Sequence, residues 1–294
     1  MSRSDTPSAE ATKLLEGAVD MHVHTAPDQV DRWGSDFAVA RAALEAGMDG
    51  VVVKNHVVPT MDRASLTNEA LGTDVLLGGV VLNGAVGGLN PEAVEVALAQ
   101  DAAVVWLPTI WNAHHATIAR NDPVESLTGF TVPGPDKQIE IVAKESVTPG
   151  VQAVIDILAA SNAILATGHS SPEAIRAVVD AGVDAGVPVV VTHPFFHVVD
   201  LSIDEQEKLA EMGATLEFCA YSLQNTPEHS VDRIVDTVER IGAESCILAT
   251  DYGQADNHPV QGFATVIDDL LDAGLNYDTV DQLVRRTPAR LLDL

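Results

Sequence analysis

Eight times along its 294 residues this chain runs through a short, continuous stretch rich in Val, Ile, Leu and Ala and then an amphipathic segment. The apolar runs fall at 17–24, 50–56, 75–83, 102–109, 163–169, 187–193, 214–220 and 246–251. They do not alternate with polar residues, as expected of parallel strands covered on both faces. Helical patterns lie at 35–47, 61–71, 91–100, 149–161, 172–182, 203–212, 231–241 and 260–273. Ser171-Pro172-Glu173 supplies an N-cap, a first-turn proline and a first-turn acid. Gly47, Gly182, Gly242 and Gly274 stand where helices should stop. Eight strand–helix units predict an α/β fold, a (β/α)8 TIM barrel forming one domain over 1–294. A doubly wound open sheet is the alternative, but no Gly-x-Gly-x-x-Gly follows the first strand.

One interval breaks the rhythm. The fourth and fifth strands are separated by an insertion, 110–148, in which Thr131-Val132-Pro133-Gly134-Pro135-Asp136 and the alternating 137–144 predict a hairpin. Such an insertion leaves the C-terminal end of a barrel strand. It is either a lid over the site or a surface excursion.

Residues two apart on a strand face the same way. In Val19-Asp20-Met21-His22-Val23-His24 the two imidazoles therefore converge, a pairing suited to a borderline divalent ion such as zinc. His56, His169, His193 and Asp251 also stand at the C-terminal ends of predicted strands, where this fold gathers its catalytic groups. Each has an ordinary reading alone: His169 in a capping turn, His193 bonded to backbone, Asp251 capping a loop. Six metal-competent side chains at that one level in five strands point to a common site.

With these residues in place, the chain resembles the amidohydrolase superfamily of metal-dependent barrels, whose pattern is His-x-His on strand one, His on strands five and six, and Asp on strand eight. The closing Arg286-Thr287-Pro288-Ala289-Arg290-Leu291-Leu292 is also similar to the superfamily's Asn-Pro-Ala-Arg segment, with Thr in place of Asn. The segments 19–28, Lys54-Asn55-His56 and 250–254 resemble a branch without an assigned activity. The resemblance implies His22, His24, His169 and Asp251 as metal ligands and one or two divalent ions, zinc foremost. It implies Asp251 as the group that takes a proton from an activated water, and His193 as the group that polarises the scissile carbonyl or shares a second metal.

The chain departs from the pattern on strand four, which has neither the lysine nor the glutamate that bridges two metals in many members. Of its five lysines only Lys54 lies on a predicted strand. Three roles are open to it: a bridging carbamate, an anchor for a substrate carboxylate, or a partner for a buried acid such as Asp20 or Glu217. A mononuclear site is the default, with His56, His193 and Lys54 available to a second ion. His56, His114, His115 and Trp111 are candidate substrate contacts, the last three in the insertion; Trp106 and Trp111 are candidate wall residues. The expected activity is hydrolysis of a C–N or C–O acyl bond in a small molecule, with a metal-dependent decarboxylase or other lyase as the alternative and a non-catalytic metal-holding protein third.

Charge and cysteine usage limit the partners. With 43 acids against 16 bases the formal charge is −27, which argues against nucleic acid and anionic membrane. No apolar run reaches the ~18 residues of a membrane span. The N-terminus lacks the apolar core of a signal peptide. The two cysteines, Cys219 and Cys246, fall in predicted strands, so a reducing cytoplasm is expected; assembly into a homo-oligomer is left open. The acids are dispersed over helices and lysine is scarce, as in adaptation to high salt. Melting temperature should therefore climb from low salt to molar KCl as counterions screen self-repulsion; a flat or falling curve across that range removes the halophilic reading.

Overall fold

The computed structural model describes residues 7–121, 129–225 and 230–294. Strands β1 (Val19–His24), β2 (Gly50–Lys54) and β3 (Leu76–Leu77) pair in that order. A second series runs β4 (Gly79–Val81), β5 (Val104–Trp106), β8 (Ile164–Ala166), β9 (Val189–Thr192), β10 (Thr215–Cys219) and β11 (Cys246–Ala249). Every one of these pairings is parallel. β3 and β4 are one barrel strand interrupted at Gly78. The ring closes where the Asp251 N–H donates to the His22 carbonyl (2.8 Å) and the His24 N–H to the Tyr252 carbonyl (2.7 Å). The eight-stranded barrel predicted from the repeat is the fold.

Apolar residues divide into an interior cluster and an outer layer under the helices. Val19, Met21, Val52, Val81, Val104, Trp106, Ile164, Ala166, Val190 and Ile247 fill the barrel. Val23, Val51, Val53, Val191, Leu216 and Leu248 pack outward. On β1 the alternation shifts between Met21, which faces in, and Val23, which faces out. The pairing with β2 is irregular over the same stretch, between Asp20 and Val23. A bulge of this kind re-aims the end of a strand.

The eight helical patterns appear within a few residues of their expected bounds, and Ser171 caps Pro172–Asp184 by accepting from the Ala174 N–H. One stop signal is corrected. Gly182 is a buried residue inside that helix, where an added Cβ would lie 2.6 Å from Val189 Cγ2. It is small because the helix lies close on β9, and the turn falls instead at Gly186 (φ +76°). In the insertion the hairpin forms later than expected. β6 (Val142–Ala143) and β7 (Ser146–Val147) turn at Lys144 and Glu145, which both take positive φ, as a tight two-residue hairpin requires. The segment 135–137 is a 3-10 turn, and Ala113–Asn121 is an α-helix; the part of the insertion at 122–128 lies outside the described residues. Both cysteines are free and buried. Among the described residues no helix is long and apolar enough to cross a membrane.

Candidate metal centre

The C-terminal ends of the strands bring the buried His22, His24, Lys54, His56, His169 and His193 and the partly exposed Asp251 into one group. His193 (φ +29°) and Asp251 (φ +54°) hold left-handed backbone conformations just beyond β9 and β11. For residues other than glycine this costs energy, and such strain gathers at functional sites. Asp251 Oδ1 lies 3.1 Å from Nε2 of His22 and 3.1 Å from Nε2 of His24. Nζ of Lys54 is 2.9 Å from the same His22 Nε2. The His193 ring stands 6.0 Å from that of His22 and 4.9 Å from that of His169. His24 and His56 stack at 4.9 Å. The cavity they enclose with Arg32, Phe196, Tyr221 and Gln254 has a volume of about 30 Å³, room for an ion or a water. A larger groove, about 570 Å³ around Glu239 and Arg286, lies apart from these residues.

The back of each imidazole decides which nitrogen faces the cavity. His22 Nδ1 meets Glu217 Oε2 at 3.2 Å. A carboxylate accepts, so Nδ1 carries a proton, and Nε2, which faces Asp251, is the nitrogen that a metal would take in exchange for its proton, the arrangement that orients metal-binding histidines. His169 Nδ1 pairs at 2.7 Å with Nδ1 of His115 from the insertion, so one of the two carries the shared proton. His56 Nδ1 is 2.9 Å from Thr109 Oγ1. His24 Nδ1 faces Arg32 Nη2 at 3.4 Å.

Burial and the two carboxylates set the charges. Burial opposes a proton on His22, but Asp251 and Glu217 outweigh it and raise its pKa to about 9. Burial, then Arg32, lowers His24 to about 3. His56, His169 and His193 are held well below the usual histidine range, chiefly by burial. They are neutral imidazoles at neutral pH, the form that binds a metal. Burial also pulls Lys54 down. Burial would raise Asp251, but His22 and His24 overcome it and keep the carboxylate ionised.

These residues fit a divalent ion. One donor atom each from His22, His24 and Asp251 lies within 4.8 Å of the others, a span that a single ion can bridge. Nδ1 of His193 is buried with no hydrogen-bond partner. An orphaned buried nitrogen costs about 1–3 kcal/mol unless something takes its lone pair or proton. A second convergent set, His22, Glu217 and Cys219, lies on the other side of the His22 ring. There burial, then Glu217, holds the Cys219 thiol protonated, and Glu217 serves to orient His22.

Other expected contacts fall elsewhere. His114 Nε2 donates to the Val198 carbonyl at 2.7 Å. Trp111 packs on Gly84, where a Cβ would meet the indole at 2.4 Å. Neither lines the cavity: Trp111 lies before the helix Ala113–Asn121, which turns His115, not His114, toward His169. Lys54 makes its contact with His22 rather than with Asp20, and its ammonium sits 5.6 Å over the Trp106 ring. Sequence reasoning missed Phe130, whose ring meets His56 edge-on at 5.1 Å, and Arg32. Glu217 carried a readable signal, an acid inside an otherwise apolar strand. Arg32 belongs to a loop with no pattern of its own. That loop is fixed by Arg63, which donates to the carbonyls of Thr25, Ala26 and Pro27, to Thr25 Oγ1 and to both oxygens of Asp36.

Comparison with known proteins agrees with the barrel fold. The model of a family of unknown function, DUF6282, matches residues 17–217. No curated protein matches the chain by sequence. Among solved structures the chain is similar to an amidohydrolase from Pseudomonas aeruginosa (TM-score 0.65, 11% identity, covering 98% of each chain). It is similar also to a probable 2-pyrone-4,6-dicarboxylic acid hydrolase from Acinetobacter baumannii (TM-score 0.61, 13% identity, 95% of this chain and 100% of that one). A third likeness is to a 2,6-dihydroxybenzoate decarboxylase from Rhizobium (TM-score 0.57, 10% identity, 95% and 99%). The chain belongs to the family of unknown function DUF6282, and its fold is that of the amidohydrolase superfamily barrels.

Proposed function

We propose that this chain is a metal-dependent hydrolase that cleaves a C–N or C–O acyl bond — amide, cyclic amide, lactone or ester — in a small molecule. The observation that carries the reading is Asp251 Oδ1 at 3.1 Å from both His22 Nε2 and His24 Nε2. His22, His24 and Asp251 would hold the ion, with His169 or His193 completing its shell; zinc suits the nitrogen and oxygen donors. The bound ion would act as a Lewis acid, acidifying water and polarising an acyl oxygen. Asp251, ionised and strained into the cavity, accepts the water's proton through its carboxylate and returns it to the leaving group. The neutral imidazole of His193 bears on the scissile carbonyl. His56, fixed by Thr109, forms the wall beside His24. The same residues could serve a decarboxylase, and the likeness to the Rhizobium enzyme keeps that second reading in view.

Metal content is the first test. The protein should carry one to two divalent ions per chain, and a His22→Ala, His24→Ala double variant should lose them by elemental analysis. Glu217→Gln should keep the fold but bind metal about 10–100-fold more weakly in competition with a chelator, as removal of an orienting partner does. Full metal content in the double variant overturns the site.

Asp251→Asn keeps the shape but cannot take a proton. With metal bound, its kcat should fall by about a hundredfold or more. Turnover of the parent in oxygen-18 water should place the label in the product. An unlabelled acid product, or near-normal kcat in the variant, moves the lyase reading ahead.

The insertion is proposed as a lid. Phe130 and His115 pack on His56 and His169, two residues that line the cavity, and about 30 Å³ admits no organic substrate until the walls shift. Phe130→Leu, which keeps most of the buried apolar volume, should change KM or kcat while metal content stays at the parental level. Parental kinetics would make the segment a surface excursion.

A further inference from the structure

We infer that the substrate of this site carries a carboxylate, and that the guanidinium of Arg32 receives it; the inference rests on the hydrolase reading above. Of the sixteen bases in this acidic chain, two, Arg32 and Lys54, line the cavity. Lys54 Nζ stands 2.9 Å from His22 Nε2, the nitrogen that would hold the ion, and over the Trp106 ring. Arg32 is differently placed. Its side chain is only 4% exposed, and both its Nε and its Nη2 donate to a single oxygen, Asp28 Oδ2, at 2.7 and 2.6 Å. One edge of the fork is thereby anchored. Among the described residues Nη1 has no hydrogen-bond partner, and a guanidinium has five N–H donors to place.

The anchor is rigid and its position is set by the site itself. The backbone of Arg32 bridges to Gln254, and the Trp33 N–H donates to the Gly253 carbonyl at 2.8 Å. The loop that carries Arg32 is therefore tied to the loop that carries Asp251. Nη2 lies 3.4 Å from the Nδ1 of His24, so the cation borders the proposed ligand on the side away from Asp251. Tyr221 and Phe196 flank the same cavity.

Charge balance points the same way. The charged and titratable groups at this wall are Arg32, Asp28, Lys54, His24, His56, Tyr221 and Asp251. Asp28 balances Arg32, and Asp251 faces His22 and His24. A divalent ion adds two positive charges, and among the described residues no further acid lines the cavity to meet them. An anionic substrate supplies the compensation, and the planar fork of Arg suits a carboxylate better than any other common anion of that size except phosphate. The dispersed surface acids repel an anion at long range, so its affinity must come from groups inside the pocket.

The probe is propionate, with neutral propionamide as its counterpart, titrated by ligand-observed NMR at constant ionic strength into purified full-length protein whose metal content is measured on the same sample. Propionate should bind and propionamide should bind at least about tenfold more weakly, the scale of one charge-assisted contact. Arg32→Gln should weaken propionate about tenfold and leave propionamide and metal content unchanged. Arg32→Lys, which keeps the charge without the fork, should fall between and serves if Arg32→Gln does not fold. Parental propionate affinity in metal-replete Arg32→Gln and Arg32→Lys overturns the inference, because the carboxylate then rests on the metal or elsewhere; so does a parent that binds neither probe. Both outcomes leave the hydrolase reading standing. A parent without metal removes that reading instead, and the Arg32 comparison still decides where propionate binds.

Discussion

The Asp20 carboxylate is the clasp on which the rest of this structure hangs. It is buried to 1% exposure between the first and last barrel strands. It accepts from the Thr250 N–H at 3.0 Å, the Thr250 hydroxyl at 2.6 Å and the His22 N–H at 3.2 Å. Burial pushes its carboxyl up to about 7 despite those donors, which measures how costly the position is. In return, two segments 230 residues apart are locked in one register. The His22 and His24 imidazoles and the Asp251 carboxylate lie within one residue or a few of that clasp. Their mutual 3.1 Å contacts are a consequence of how the barrel closes.

The architecture was legible because a buried parallel strand has no polar face to hide, so each barrel strand announced itself as an unbroken apolar run. The His-x-His pair was legible for a related reason, since side chains two apart on a strand share a face. The bulge between Asp20 and Val23 was not, because pairing irregularity depends on the neighbouring strand. Gly182 was misjudged as a helix stop because glycine serves two ends, a left-handed turn or a close approach, and only the position of Val189 tells them apart. In the insertion the hairpin was legible but not its position. Whether His114 or His115 reaches His169 depends on the phase of one helix relative to the barrel, which local pattern does not encode. Arg32 was invisible because its role comes from the path of an irregular loop.

Within the site, position on the barrel and hydrogen-bond partner have separate tasks. Strand ends deliver the imidazoles to one level; the groups behind them choose the nitrogen that faces inward. Glu217 does this for His22, His115 for His169 and Thr109 for His56. Hydrolases and decarboxylases share this barrel among the similar structures. The proposed reaction would therefore turn on these local partners and on the loops, not on the fold.

The two walls of the cavity are built to different standards. On one side Arg63 gathers three successive carbonyls, a hydroxyl and a carboxylate, so that the segment from Thr25 to Asp36 is cross-braced by a single side chain. On the other, the insertion meets the site through a ring edge at Phe130 and one imidazole pair at His115. Sequence change at Arg63 breaks several bonds at once, whereas change at His115 breaks, among the described residues, the one imidazole pair. Descendants of this barrel can thus acquire new substrates by rewriting one wall while inheriting the other intact.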